Sequence, residues 1–210
     1  MSSILEESTG RLRLAPLTVE QYEAMIAQGI LAEGEPIELI DGLLVSKDRA
    51  AAGGALMTVG PEHQLVVKRL ARLLSGVEGL GCHVSIQGPV RLPPRDEPEP
   101  DVVVVRGVPE DYATRHPGPA DVWSVIEVSD SSLLRDRTTK LRVYAAAGLP
   151  QYVIVNLVDR CLEVHEEPAP AEQRYRSNVV LRAGGPEAWI AAGALGSGKG
   201  VRLHVEDVLR

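Results

Sequence analysis

The run Asp101-Val-Val-Val-Val-Arg106 constrains this chain most. Four consecutive β-branched residues favour an extended backbone, and with no polar residue alternating among them both faces of that strand must be covered. Such a strand belongs inside a sheet that carries a further layer on each side. Val122–Val128 and Tyr152–Val158 are apolar runs of the same kind, and Cys82–Leu92 reads as a longer β-type segment interrupted at Gly88-Pro89. Helical spacing appears twice. After Pro61, Leu65, Val66, Leu70, Leu73 and Leu74 recur on one side with Lys68, Arg69 and Arg72 on the other, and Gly76 is expected to end the helix. Leu133–Ala147 is the second helix, closed by Gly148 and Pro150. The order αβββαβ over about residues 60–158 predicts an α/β fold with a mixed sheet.

Flanking segments extend this core. Thr18 and Gln21 spell a capping box at the start of an N-terminal helix that should stop at Gly29. Asp41-Gly42 between two apolar runs is a two-residue hairpin signal, so a helix plus hairpin occupies 17–46. Asp159-Arg160 turns the chain into Cys161–Val164. Arg174–Leu181 and Val201–Val208 read as extra C-terminal strands within 174–208, joined by an Ala/Gly-rich stretch, 183–200, with no assignable pattern. No linker or repeat divides the chain, and a single domain over 1–210 is expected.

Composition narrows the function. The net charge is −7, which argues against coating nucleic acid by bulk attraction but not against one local basic contact. Only two cysteines occur, Cys82 and Cys161, with no histidine at ligand spacing, so they read as small buried thiols rather than a zinc site. No apolar run is long enough to span a bilayer, and the opening Met1–Glu7 is acidic where a signal peptide is basic; a cytoplasmic protein without a membrane partner is expected. Gly193-x4-Gly198-Lys199 continues with Gly200 and a strand-like segment, which excludes a phosphate-binding loop; Gly53-Gly54 forms no dinucleotide fingerprint.

The chemistry gathers around two acids. Asp101 opens the valine strand and Glu127 lies near the end of the next. If those strands pair antiparallel, the start of one lies beside the end of the other, and both carboxylates meet at one edge of the sheet. Two anions crowded among valines require a proton or a cation between them, and hard oxygen ligands favour Mg²⁺ or Mn²⁺. The following helix carries Arg135, Asp136, Arg137, Lys140 and Arg142, four basic residues against one acid, where a phosphate could dock. Asp136, Lys140 and Tyr144 repeat at four-residue spacing and share a face. Two carboxylates, a metal and a lysine form a set that cleaves phosphodiesters. Each residue also has a plain structural reading: Asp101 as a turn residue after Pro100, Glu127 paired with an arginine in the core, Lys140 on a solvated helix face.

Six motifs in order carry a family resemblance: Glu38-Leu-Ile-Asp41-Gly42, Gly60-Pro-Glu-His63, Pro100-Asp101-Val-Val-Val-Val, Glu127-Val128-Ser129-Asp-Ser131, Asp136-x3-Lys140-x3-Tyr144 and Gly148-Leu-Pro-Gln-Tyr152. Together, over about residues 16–166, they resemble the Uma2 family (DUF820) of the PD-(D/E)XK restriction-endonuclease-like superfamily. The resemblance implies a metal-dependent nuclease acting on nucleic acid, DNA in the first instance, with Asp101 and Glu127 as ligands of Mg²⁺ or Mn²⁺. The superfamily pattern has a lysine two residues after the second acid; here that position is Ser129, and Lys140 on the following helix is the substitute. Glu38 resembles an additional acid of the site, with an outward hairpin position as the other reading. His63, Tyr144 and Asp136 take supporting roles, and His63 has helix initiation as its alternative. Since the superfamily commonly works in pairs, a homodimer is expected. The rival from another class is a nuclease-like fold without turnover, serving as a nucleic-acid-binding or assembly module.

Overall fold

The structure is a computed structural model that describes residues 15–32, 34–47, 60–193 and 197–210. The readings at Met1–Glu7 and Gly53-Gly54, and residues 194–196 of the near phosphate loop, lie outside the described residues. In chain order the elements begin with α1 (Val19–Ala27) and the hairpin β1 (Ile37–Ile40) and β2 (Leu43–Ser46). Next come α2 (Pro61–Leu73), β3 (Cys82–Ile86), β4 (Val102–Arg106) and β5 (Val122–Ser129). A helical segment over 133–146, here α3, leads to β6 (Gln151–Asn156), β7 (Cys161–Ala169) and β8 (Arg174–Arg182), and the chain closes with β9 (Ala188–Ala191), β10 (Gly200–Leu203) and α4 (Val205–Val208).

Strands β3 to β8 form one six-stranded sheet in sequence order. Neighbours pair antiparallel except β5 and β6, which are joined through α3 and run parallel. The sheet is therefore mixed, as the expected α/β fold requires.

Both faces are covered, as the valine run required. Val102 and Val104, with Ile126, Val128, Val153 and Val155, pack under α2 and the C-terminal elements. Val103 and Val105, with Val125, Tyr152 and Ile154, pack under Val143, Tyr144 and Ala145 of α3. All four valines are 0% exposed, and each contributes about 1.5 kcal/mol or more by leaving water.

The N-terminal elements dock onto the connection between β3 and β4. Thr18 and Gln21 form both bonds of the capping box, and Asp41 and Gly42 both take positive φ, as a tight hairpin turn demands. Prolines 89, 93, 94, 98 and 100 strip donors from 88–100, so this stretch cannot continue β3. It folds back instead and accepts backbone bonds from Val19 and Gly42, while Glu97 donates to Leu39. The strand expected over Cys82–Leu92 thus ends at Ile86.

Three other expectations are corrected. Gly76 does not stop α2: the path tightens into a 3-10 turn over Leu74–Leu80, and Gly81, at φ 78°, supplies the left-handed exit. Leu65 lies 46% exposed and Val67 takes its place in the core. Val201–Val208 is strand only to Leu203, because Val205, Val208 and Leu209 bury at helical spacing. Within 183–200, Ala188–Ala191 is a strand that pairs with β10. Both thiols are free and buried.

Candidate functional site

The register of β4 on β5 brings the two acids together. Val102 faces Ile126, which places Asp101 and Glu127 one step further along the same ladder, on the α3 side of the sheet. Asp101 Oδ2 accepts the Val128 amide at 2.9 Å, and the Asp101 amide points at Glu127 Oε2 at 3.4 Å. Among the described residues neither acid is paired with an arginine. Asp101 Oδ2 also lies 3.0 Å from Nε2 of His63, which reaches it from the first turn of α2.

Segment α3 then crosses over this corner. Its middle turn, Asp136–Lys140, is a π-turn rather than α, a widening often found at functional sites. Asp136, Lys140 and Tyr144 are all buried, so the shared face expected from their spacing is the inward one. Lys140 Nζ lies 2.9 Å from Glu38 and 3.3 Å from Glu127 Oε1. The Tyr144 hydroxyl donates to the same Glu127 oxygen at 2.7 Å. Asp136 accepts from Ser129 at 2.7 Å and Ser132 at 2.6 Å. The serine standing where the superfamily pattern has a lysine therefore anchors the first part of α3. Lys140 is 2% exposed, so the solvated-face reading does not hold.

Glu38 is 3% exposed. Its outward hairpin reading fails because the docking of β1 on residues 94–99 turns it inward, where it also accepts the Glu99 amide at 3.2 Å. The other basic residues of α3 are largely spent inside the protein: Arg137 pairs with Glu163 and Asp159, and Arg142 with Asp41. The basic helix expected from the sequence is thus not a general phosphate dock.

Glu38, Asp101, Glu127, Asp136 and Lys140 line a cleft of about 340 Å³ together with Lys47, Gly60–His63, Gln87, Glu99, Val128, Asp130–Ser132 and Arg135. Seven of its side chains are acidic and three are Lys or Arg. Lys47 is paired with Glu99. Sequence reasoning missed Glu99. Its signal was Glu97-Pro-Glu99-Pro-Asp101, where prolines hold the chain extended and turn alternate acids to one side.

Crowded negative charge sets the proton affinities. Burial, with Asp136, Asp101 and Glu38 nearby, pushes the Glu127 carboxyl up to about 8 despite the opposing pull of Lys140. Burial works against the charge of Lys140, but Glu127 and Glu38 more than offset it and hold the ammonium above its usual range. Both shifts say the same thing: this corner holds positive charge more readily than negative. A divalent cation fits that demand. Within this pair of acids, Oδ1 of Asp101 and Oε2 of Glu127 are the less committed oxygens, Oε2 accepting only the Asp101 amide at 3.4 Å. No cluster of three or more His, Cys, Asp or Glu side chains is arranged as a metal cage among the described residues. Two carboxylates completed by water and a substrate phosphate are a coordination that Mg²⁺ accepts.

Comparison with known proteins now decides the family. The model of the Uma2 family, described as "Putative restriction endonuclease", matches residues 19–192. The chain belongs to the Uma2 family. Among solved structures it is similar to a crystal structure of "a putative nuclease belonging to DUF820 from Anabaena variabilis ATCC 29413". That match has a TM-score of 0.59 at 13% identity, covering 92% of this chain and 98% of the other. At that identity the likeness speaks for the fold. No curated protein matches the chain. No described helix of this Uma2 member is long and apolar enough to cross a membrane.

Proposed function

We propose that this Uma2 protein is a divalent-metal-dependent endonuclease that hydrolyses phosphodiester bonds of nucleic acid, DNA in the first instance. The observation that carries the reading is the meeting of Asp101 and Glu127 in a cleft with surplus negative charge. Asp101 and Glu127 would hold Mg²⁺ or Mn²⁺; when bound, such an ion supplies activation of a water and neutralisation of phosphate charge. The residues of the chain do the rest. Tyr144 and Lys140 fix Glu127 through Oε1 and leave Oε2 toward Asp101. Glu38 steadies the Lys140 ammonium, which lines the cleft and would meet charge developing on a phosphate. His63 orients Asp101 from the opposite wall. The same reading carries a single domain over 1–210, a homodimer that addresses both strands, and a cytoplasmic place of action.

A binding module without turnover is the second reading. It is favoured by the acidic lining and by the pairing of most cleft cations within the protein. A plasmid-nicking assay in Mg²⁺ or Mn²⁺ separates the two. The enzyme reading expects nicking that Asp101→Asn and Glu127→Gln each reduce by at least about 100-fold. Full cleavage by both variants removes these acids from the chemistry, and binding without any cleavage by the wild type selects the module.

A further inference from the structure

Of the four basic residues on α3, three are neutralised by partners within the chain: Arg137 by Glu163 and Asp159, Lys140 by Glu38 and Glu127, and Arg142 by Asp41. Arg135 is the exception. It lines the cleft, its side chain makes no hydrogen bond or ion pair with any described residue, and its Nε is shut off from water with no acceptor. Buried guanidinium donors are rarely left unmet, and one that is calls for an explanation. Acids are close by, yet none takes it. Asp136, next in sequence, is turned to Ser129 and Ser132; Glu62, on the same cleft, pairs with Arg160; Asp130, also on the cleft, forms no ion pair with it. Of the other groups on the cleft, the Lys47 ammonium is engaged by Glu99 and the His63 ring by Asp101. Among the described residues, Arg135 is thus the one Lys or Arg of the cleft without an anionic partner.

We propose that Arg135 is the anchor for a substrate phosphate: it grips one phosphate of the nucleic-acid backbone beside the bond to be cut and so sets which bond lies over Asp101 and Glu127. The inference rests on the nuclease reading and deepens it, since it names the group that recognises the strand. Chemistry and position both favour it. The planar fork of a guanidinium offers two parallel donors that match two oxygens of a phosphate, which a lysine cannot do. Arg135 stands in the first turn after β5, the strand that carries Glu127, so a phosphate held there sits at the same edge of the sheet as the two acids. In a cleft lined by seven acids, one unpaired cation is also a selective one. It rewards an approaching strand at a single register and leaves other registers facing carboxylates. Arg135 is a positioning residue here and takes no part in bond breaking.

The test uses the full chain and compares wild type, Arg135→Ala and Arg135→Lys. Binding of a labelled oligonucleotide duplex is followed by anisotropy in Ca²⁺ and cleavage in Mg²⁺, each at several salt concentrations. Arg135→Ala should raise Kd and KM by about tenfold or more, the worth of a charge-assisted hydrogen bond, while kcat changes little. The slope of log Kd against log salt should fall by about one phosphate contact, and Arg135→Lys, which keeps charge but loses the fork, should restore the slope but only part of the affinity. A scan with single methylphosphonates should find one phosphate whose neutralisation weakens the wild type and leaves Arg135→Ala indifferent. Because the Arg135 side chain has no hydrogen-bonded or ion-paired partner among the described residues and only a through-space attraction to Asp136, thermal unfolding of Arg135→Ala should shift little; should the alanine variant fail to fold, Arg135→Lys with the same scan decides. Unaltered Kd, KM and salt slope, or equal sensitivity of wild type and variant at every phosphate, overturns the inference while cleavage keeps the nuclease reading. Wild-type binding without cleavage, lost in Arg135→Ala, upholds the anchor and removes the nuclease. A wild type that neither binds nor cleaves overturns both.

Discussion

Glu127 on β5 and Glu163 on β7 flank Ile154 of β6 at the same level of the sheet and face the same segment, α3. Both are buried. Their surroundings are opposite. Burial works against the charge of Glu163, but the fork of Arg137, with bonds of 2.7, 3.0 and 3.1 Å, and the amide of Asn156 at 2.8 Å overcome it and hold the carboxyl below its usual range. Glu127 shares a single ammonium with Glu38, and burial first, then Asp136 and Asp101 nearby, raises its carboxyl instead. One helix thus treats two carboxylates of one sheet face in two ways. Where each charge is matched, the network reads as scaffold; the surplus negative charge at Glu127 is what the proposed cation would meet.

The comparison breaks most readily at Lys140. Lys140→Met strands Glu38 and Glu127 in the interior, and the expected loss is about 3–5 kcal/mol by urea unfolding at neutral pH. A loss below about 1 kcal/mol would mean that the acids are less enclosed than described. On the scaffold side, Arg137 is 42% exposed, so Arg137→Ala should cost less, about 2 kcal/mol, because Asn156 still serves Glu163 and solvent screens the pair. Cleavage by the folded fraction of that variant should persist. If it disappears, the two regions are not separate.

Acidity provides the smallest test, and its sign differs between buried acids. Glu163 has a folded pKa below 4.5, so its contribution is present above that value and fades as pH falls through the folded pKa. Glu97, buried and with Oε2 unpartnered, is pushed up to about 7 from 4.5, chiefly by burial. Its native form keeps a proton that the unfolded chain releases between those values, so stability falls as pH rises from about 4.5 to about 7. Glu97→Gln should flatten the thermal-unfolding profile across that window, and Glu163→Gln should flatten it below. Parallel profiles for Glu97→Gln and wild type would refute the assignment.

How much of this was legible beforehand follows from distance along the chain. The αβββαβ order and the convergence of Asp101 with Glu127 could be read because antiparallel pairing of successive strands needs only their order. Glu38 could not be decided, since a four-residue strand does not say which of its faces meets the core. The fate of the basic residues on α3 was hidden for a similar reason: Arg142 and Asp41 stand 101 positions apart, and Lys140 and Glu38 stand 102 apart. Only the docking of the N-terminal hairpin joins them. In 183–200 the strand Ala188–Ala191 is too short and too poor in alternating polar residues to announce itself.

The central claim is that Asp101 and Glu127 together hold a divalent cation in this cleft. Titration of Mn²⁺ into wild type, Asp101→Asn, Glu127→Gln and Arg137→Ala, followed by the loss of the free-ion electron paramagnetic resonance signal, tests it most directly. The account predicts binding by the wild type and by Arg137→Ala and its loss in both acid variants. A wild type that binds no Mn²⁺ at millimolar concentration, or undiminished binding by either acid variant, would contradict it.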